Sequence, residues 1–168
     1  MSDELRTRKA NLVVNADAAA VSVTERSFTV LTIGTSMADY LFLRQLFTQT
    51  SWRLHEAYTY REAVTALCKD RMPVVLCEHV LPDGDWKDIL SQTAPLPDPP
   101  RLIVISPQAN DQLWAEVLNM GGCVVLAKPL ARKEVVWAIG SAWLQWQAES
   151  ERKSQMWTAP KVMAAAGN

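Results

Sequence analysis

The run VVLCEHVLPDG, Val74 to Gly84, decides the reading of this chain. Its first five residues, VVLCE, are apolar up to one carboxylate, Glu78, as suits a short strand buried on both faces. Leu81-Pro82-Asp83-Gly84 then supplies turn chemistry, because Pro pre-sets φ and Gly tolerates conformations that other residues resist. A short helix carrying Trp86, Ile89 and Leu90 comes next, and the connector APLPDPP ends it.

The same strand, turn and helix pattern extends in both directions. Upstream, residues 28–33, FTVLTI, read as a strand. Ser36-Met37-Ala38-Asp39 has the spacing of a helix cap with an acidic third residue, opening a helix that turns Tyr40, Leu43, Leu46 and Phe47 inward. Residues 52–57 make a second strand, and Thr59-Tyr60-Arg61-Glu62 opens a helix burying Ala63, Ala66 and Leu67. Downstream, residues 101–106, RLIVIS, form a fourth strand. Asn110 caps a helix with Leu113, Trp114, Val117 and Leu118 on its apolar side, and Gly121-Gly122 stops it. Residues 123–127, CVVLA, are a fifth strand, and a last helix runs from about Ala131 to Met156.

Continuous apolar strands alternating with amphipathic helices predict an α/β fold: a doubly wound, five-stranded parallel sheet with helices on both faces, in three layers. In such sheets the functional crevice lies at the carboxyl ends of the strands. The residues there are Gly34, Thr35, Glu78, Ser106 and Lys128. The expected organisation is a flexible N-terminal arm over residues 1–26, a domain over 27–147, and a continuation of the last helix with a C-terminal tail over 148–168.

Composition narrows the function classes. Of 168 residues, 49% are apolar and 21% charged, so this is ordinary globular usage rather than a disordered chain. The net charge of −1, without a basic stripe, argues against nucleic acid as the main partner. Three cysteines, Cys68, Cys77 and Cys123, have no paired spacing and read as buried thiols in a reducing compartment. No apolar run reaches the ~18 residues a membrane span needs, and MSDELRTRKANL lacks the apolar core of a secretory signal. A cytoplasmic protein is expected, with no membrane partner.

Element order and loop placement from Phe28 to about Gln147 resemble the response-regulator receiver domain, the CheY-like family of bacterial two-component systems. Glu78-His79-Val80-Leu81-Pro82-Asp83-Gly84 is similar to that family's acceptor loop, with its proline four residues after the acceptor, and Ala127-Lys128-Pro129 ends the fifth strand as in the family. Ser106 matches the Ser/Thr switch position. The resemblance implies an acidic pair after the first strand and an Asp after the third that hold Mg²⁺, the Asp taking a phosphoryl group from a histidine kinase.

Here the pattern departs. The acidic pair falls on Gly34 and Thr35, the phospho-acceptor position on Glu78, and the switch aromatic on Val125. A Glu, a Thr hydroxyl and a carbonyl make a poor octahedral cage, so the Mg²⁺ site is expected to be degenerate, with no cofactor and no catalytic or metal residues. Glu78 reaches about 1.5 Å further than Asp, towards Ser106 and Lys128. Two roles stay open for it: an imitation of the phosphorylated state, or a structural ion pair with Lys128. His79 is expected to be structural or solvated.

The expected function is an atypical, stand-alone receiver (a pseudo-receiver) in phosphorelay signal transduction. It would be phosphorylation- and Mg-independent, not an enzyme, and would act by protein–protein interaction with another signalling protein or a histidine kinase. The chain after the last helix is expected to be too short for a DNA-binding or catalytic module. Two alternatives stand beside it: a conventional phosphorelay receiver phosphorylated at or near Glu78, and a flavodoxin-like module binding a small anionic ligand at Gly34-Thr35-Ser36. Trp137, Trp143 and Trp146 make the last helix apolar on more than one face. They are the candidate interface, covered by the chain's own arm, by a second copy or by another protein. The resemblance implies a homodimer through the fourth helix, fifth strand and fifth helix.

Overall fold

The computed structural model describes residues 23–165, with side chains as far as Trp157. Its elements run β1 (Thr29–Ile33), α1 (Met37–Phe47), β2 (Arg53–Ala57), α2 (Tyr60–Lys69), β3 (Val74–Glu78), β4 (Val80–Leu81), β5 (Gly84–Asp85), α3 (Trp86–Thr93), β6 (Arg101–Ser106), α4 (Asp111–Met120), β7 (Val124–Ala127) and α5 (Arg132–Ala165). Five strands pair in parallel in the order β2-β1-β3-β6-β7, the expected doubly wound sheet. β4 and β5 form a separate two-residue antiparallel ribbon around Pro82 and Asp83, within the expected loop.

The helices start where their caps require. Ser36, Thr59 and Asn110 side chains accept from the amides of Asp39, Glu62 and Leu113, filling donors that each first turn leaves unpaired. Asp85 and Asp88 close a reciprocal capping box on α3. Gly121, at φ 100°, ends α4 in the left-handed conformation that glycine adopts without a Cβ penalty.

Val30, Leu31, Ile33, Val74 to Cys77 and Leu102 to Ile105 are buried, the burial on both faces that continuous apolar strands foretold. After β1 the chain winds outward to β2, then returns to β3 on the other side. The strand order therefore reverses between β1 and β3. A crevice opens at such a switch point, and it places Gly34 and Thr35 beside Glu78.

The last helix is longer than expected: it reaches Ala165 instead of ending near Met156. Its buried face is Val135, Ala138, Ile139 and Ala142. Of the expected arm over residues 1–26, the first 22 lie outside the described residues. Residues 23–26 are not free: Val23 is buried against the Gly140 position, and its carbonyl accepts from Trp52 Nε1 at 3.0 Å. Thr24 O accepts from the Ser51 amide at 2.9 Å. These contacts dock this end on the domain.

Candidate functional site

β1 and β3 end side by side, and the loops after the two strands meet in the crevice. The Thr35 amide, just before the Ser36 cap, donates to Glu78 Oε2 at 3.0 Å. Lys128, one residue past β7, places its ammonium 2.6 Å from Glu78 Oε1. The same ammonium lies 2.7 Å from Asp39 Oδ2, on the first turn of α1. Glu78 is thus held through both carboxylate oxygens, and Lys128 bridges two carboxylates. All three side chains are mostly buried.

Two carboxylates and one ammonium leave one net negative charge, which an isolated buried group could not carry cheaply. The pairing offsets that cost. Burial pulls the Lys128 ammonium down, but its pairing with Asp39 and Glu78 outweighs this and holds its pKa above the usual lysine value. Tyr40 braces the floor of the crevice: its buried hydroxyl lies 2.7 Å from Ala57 O and 3.0 Å from Gly34 O. Burial drives the Tyr40 phenol far above its ordinary pKa, so it stays neutral.

Sequence reasoning directed the Glu78 carboxylate towards Ser106 and Lys128. Glu78 reaches Lys128 but leans towards β1, on the opposite side of β3 from β6. The buried Ser106 hydroxyl instead accepts from the Gln108 amide at 3.1 Å. The reason is room: Gly34 has no side chain, and the Glu78 carboxyl group fills the space above it. Val125 is buried in β7 and packs in the core. His79 donates its amide to Ile105 O at 2.9 Å, extending the ladder between β3 and β6.

Asp39 was missed as a site residue. Its place three residues after Ser36 marks it as a first-turn acid, a local role that hides the longer reach to Lys128. Asp83, read as turn chemistry, also caps α2 from across the ribbon. Its carboxylate accepts from the Tyr60 and Arg61 amides at 2.6 and 3.2 Å. Burial pushes the Asp83 carboxyl up, but those backbone bonds outweigh it and hold the pKa below the ordinary carboxylate range.

The donor set fits Mg²⁺ poorly. That ion asks for several oxygen ligands in octahedral geometry. Here the position of one ligand is Gly34, Thr35 directs its amide at Glu78, and an ammonium stands between the two remaining carboxylates. Among the described residues no cluster of three or more His, Cys, Asp or Glu side chains could hold a metal. The turn Gly34-Thr35-Ser36 commits donors and acceptors internally, with Thr35 N on Glu78 and Ser36 Oγ on the Asp39 amide.

The three tryptophans of the candidate interface are partly buried, each with a contact inside the chain. Trp143 stacks on Phe28, with ring centroids 5.3 Å apart and planes 12° apart. Trp146 lies under the Arg71 guanidinium at 4.6 Å, and Trp137 packs against the core. These three rings are therefore partly covered within the chain, while Leu144 on the same helix stays exposed. Beyond them, Arg101 pairs with Glu149, and Lys153 Nζ donates to Pro97 O at 3.0 Å. No described helix is long and apolar enough to cross a membrane.

No family model matches the sequence, and no curated protein matches it. Solved structures do. The signal receiver domain of an HD domain-containing protein from Pseudomonas fluorescens Pf-5 is 22% identical with a TM-score of 0.67, over 74% of this chain and 92% of that one. A CheY-like response regulator receiver domain protein from Methanospirillum hungatei JF-1 is 16% identical, TM-score 0.65, over 74% and 99%. A chain of the CheX-CheY-BeF3-Mg complex from Borrelia burgdorferi is 26% identical, TM-score 0.63, over 69% and 89%. The likeness shows the fold: the chain has the receiver, CheY-like architecture expected from its acceptor-loop and Lys-Pro motifs.

Proposed function

We propose that this receiver fold serves two-component signal transduction by protein contact, without phosphoryl transfer or Mg²⁺, and that the chain is not an enzyme. The observation that carries this reading is the closed pair between Glu78 and Lys128, with Asp39 on the same ammonium. Phosphoryl transfer needs positive charge aimed at the equatorial oxygens of the moving group. In this crevice the one ammonium is already neutralised twice, and the acceptor-position carboxylate is spent on it. Metal-assisted transfer would have to break both pairs before a ligand could enter.

A partner would then read a fixed arrangement of loops. The face proposed for it is α4, β7 and α5, which also serves the homodimer reading. Its anchors would be the exposed Met120 and Leu144 rather than the packed Trp137, Trp143 and Trp146. A cytoplasmic setting in a bacterial signalling pathway suits the free thiols and the absence of a spanning helix among the described residues.

The test is incubation with acetyl phosphate and Mg²⁺, read by intact mass. The expected result is an unchanged mass. A stoichiometric phosphoryl adduct on Glu78 or a neighbouring carboxylate would establish the conventional phosphorelay alternative instead.

A further inference from the structure

Gly34 is not explained by its backbone. Among the described residues only Gly121 has a positive φ, so position 34 has a conformation open to any residue. What it cannot hold is a side chain. A Cβ there would lie 2.6 Å from Glu78 Cδ, 2.7 Å from Cγ and 2.9 Å from Oε2, closer than non-bonded atoms come. Relief would require the Glu78 carboxylate to swing away, and with it the bonds to the Thr35 amide and the Lys128 ammonium.

We infer that Gly34 and Glu78 are a matched pair and that Lys128 is the resident cation of the crevice, bridging Asp39 and Glu78 where a divalent ion would otherwise stand between carboxylates. This deepens the metal-independent reading above and rests on it. The longer carboxylate fits only because position 34 carries no side chain, and the ammonium stands between it and the Asp39 carboxylate. The crevice therefore excludes metal by occupancy as well as by the number of its ligands. Removing the ammonium should expose two facing carboxylates, a hard-oxygen pair suited to a divalent cation.

Two measurements on the full chain test this, and neither uses a partner or a phosphoryl donor. The first is a thermal-unfolding cycle of Gly34→Ala, Glu78→Ala and the double variant. The expected result is that Gly34→Ala lowers Tm by about 3 °C or more in the wild-type background and has no effect once Glu78 is Ala. Additive losses would overturn the matched pair. The second is Mn²⁺ titration of the wild type and Lys128→Met, followed by Tm and by paramagnetic broadening of amide signals near Asp39 and Glu78. Saturable broadening and a raised Tm in Lys128→Met alone are expected. Equal Mn²⁺ binding by the wild type, or none by the variant, would overturn the resident-cation role. Should Lys128→Met not fold, the Gly34 and Glu78 cycle still decides the pairing. A phosphoryl adduct on a chain that passes both tests would sink the functional reading and leave this one standing.

Discussion

The Lys128 ammonium lies 2.6 Å from the Glu78 carboxylate, and this contact closes the crevice at the carboxyl end of the sheet. Because both side chains remain partly accessible, the pair is worth less than a fully buried one. Neutralising the carboxylate with Glu78→Gln should lower stability by about 1–2 kcal/mol, leaving Lys128 with Asp39 alone. Urea unfolding at neutral pH measures this, and an unchanged midpoint would mean the pair contributes nothing net.

Alkali should weaken the fold through two groups. Lys128 and Tyr40 both have folded pKa values raised above their unfolded ones. The stability each contributes is fully present below the unfolded pKa, about 10 for both, and is lost as pH rises through the folded value. Urea midpoints should fall above pH ~10. Lys128→Met and Tyr40→Phe should each flatten that limb, and a slope unchanged in both variants would refute the assignment.

Acid should act through Asp83 and Glu56. Against the upward push of burial, the Tyr60 and Arg61 amides hold Asp83 low, and the Arg44 guanidinium holds Glu56 low. For a depressed carboxylate, stability is present above the unfolded pKa of about 4 and lost as pH falls through the folded one. Asp83→Ala should lower the urea midpoint at pH ~6 and reduce its fall between about pH 5 and 2.5. Amide exchange should quicken first at Tyr60 and Arg61, the donors it uncaps.

The tryptophans of α5 should behave as packing residues. Trp143→Ala removes a ring stacked on Phe28 and should cost about 2–4 kcal/mol, near the range for a large aromatic truncated in a core. Val23→Ala should cost about 1–2 kcal/mol, because it trims a fully buried side chain and leaves a small void. Chemical denaturation measures both. Light scattering by Trp143→Ala should match the wild type, whereas a loss of self-association without loss of stability would restore the interface role.

The strands were legible because burial on both faces writes itself as VVLC or LIVI, and α1, α2 and α4 because each begins with a cap residue that the structure uses. The β4–β5 ribbon was not, since two-residue strands carry no period. At the site, Glu78 and Lys128 were readable from the motifs around them. Asp39 was hidden by its local position after a cap, and the demand at Gly34 by its origin in a collision with a residue far along the chain. Val23 sits in a small-residue stretch whose pattern predicts no buried face, yet one valine and its carbonyl dock it. The apolar excess of the last helix was legible, but what covers it was not, because Phe28 and Arg71 come from distant elements.

The most direct test of a closed, metal-independent crevice is a two-dimensional amide NMR titration with Mg²⁺ and then beryllofluoride, observing Thr35, Asp39, Glu78, Ser106 and Lys128. A crevice closed by Lys128 gives no saturable shifts at these residues with either addition. Saturable shifts that begin at Thr35 and Glu78 and spread to Ser106 would show that metal and phosphoryl mimic displace Lys128, and would contradict the closed crevice.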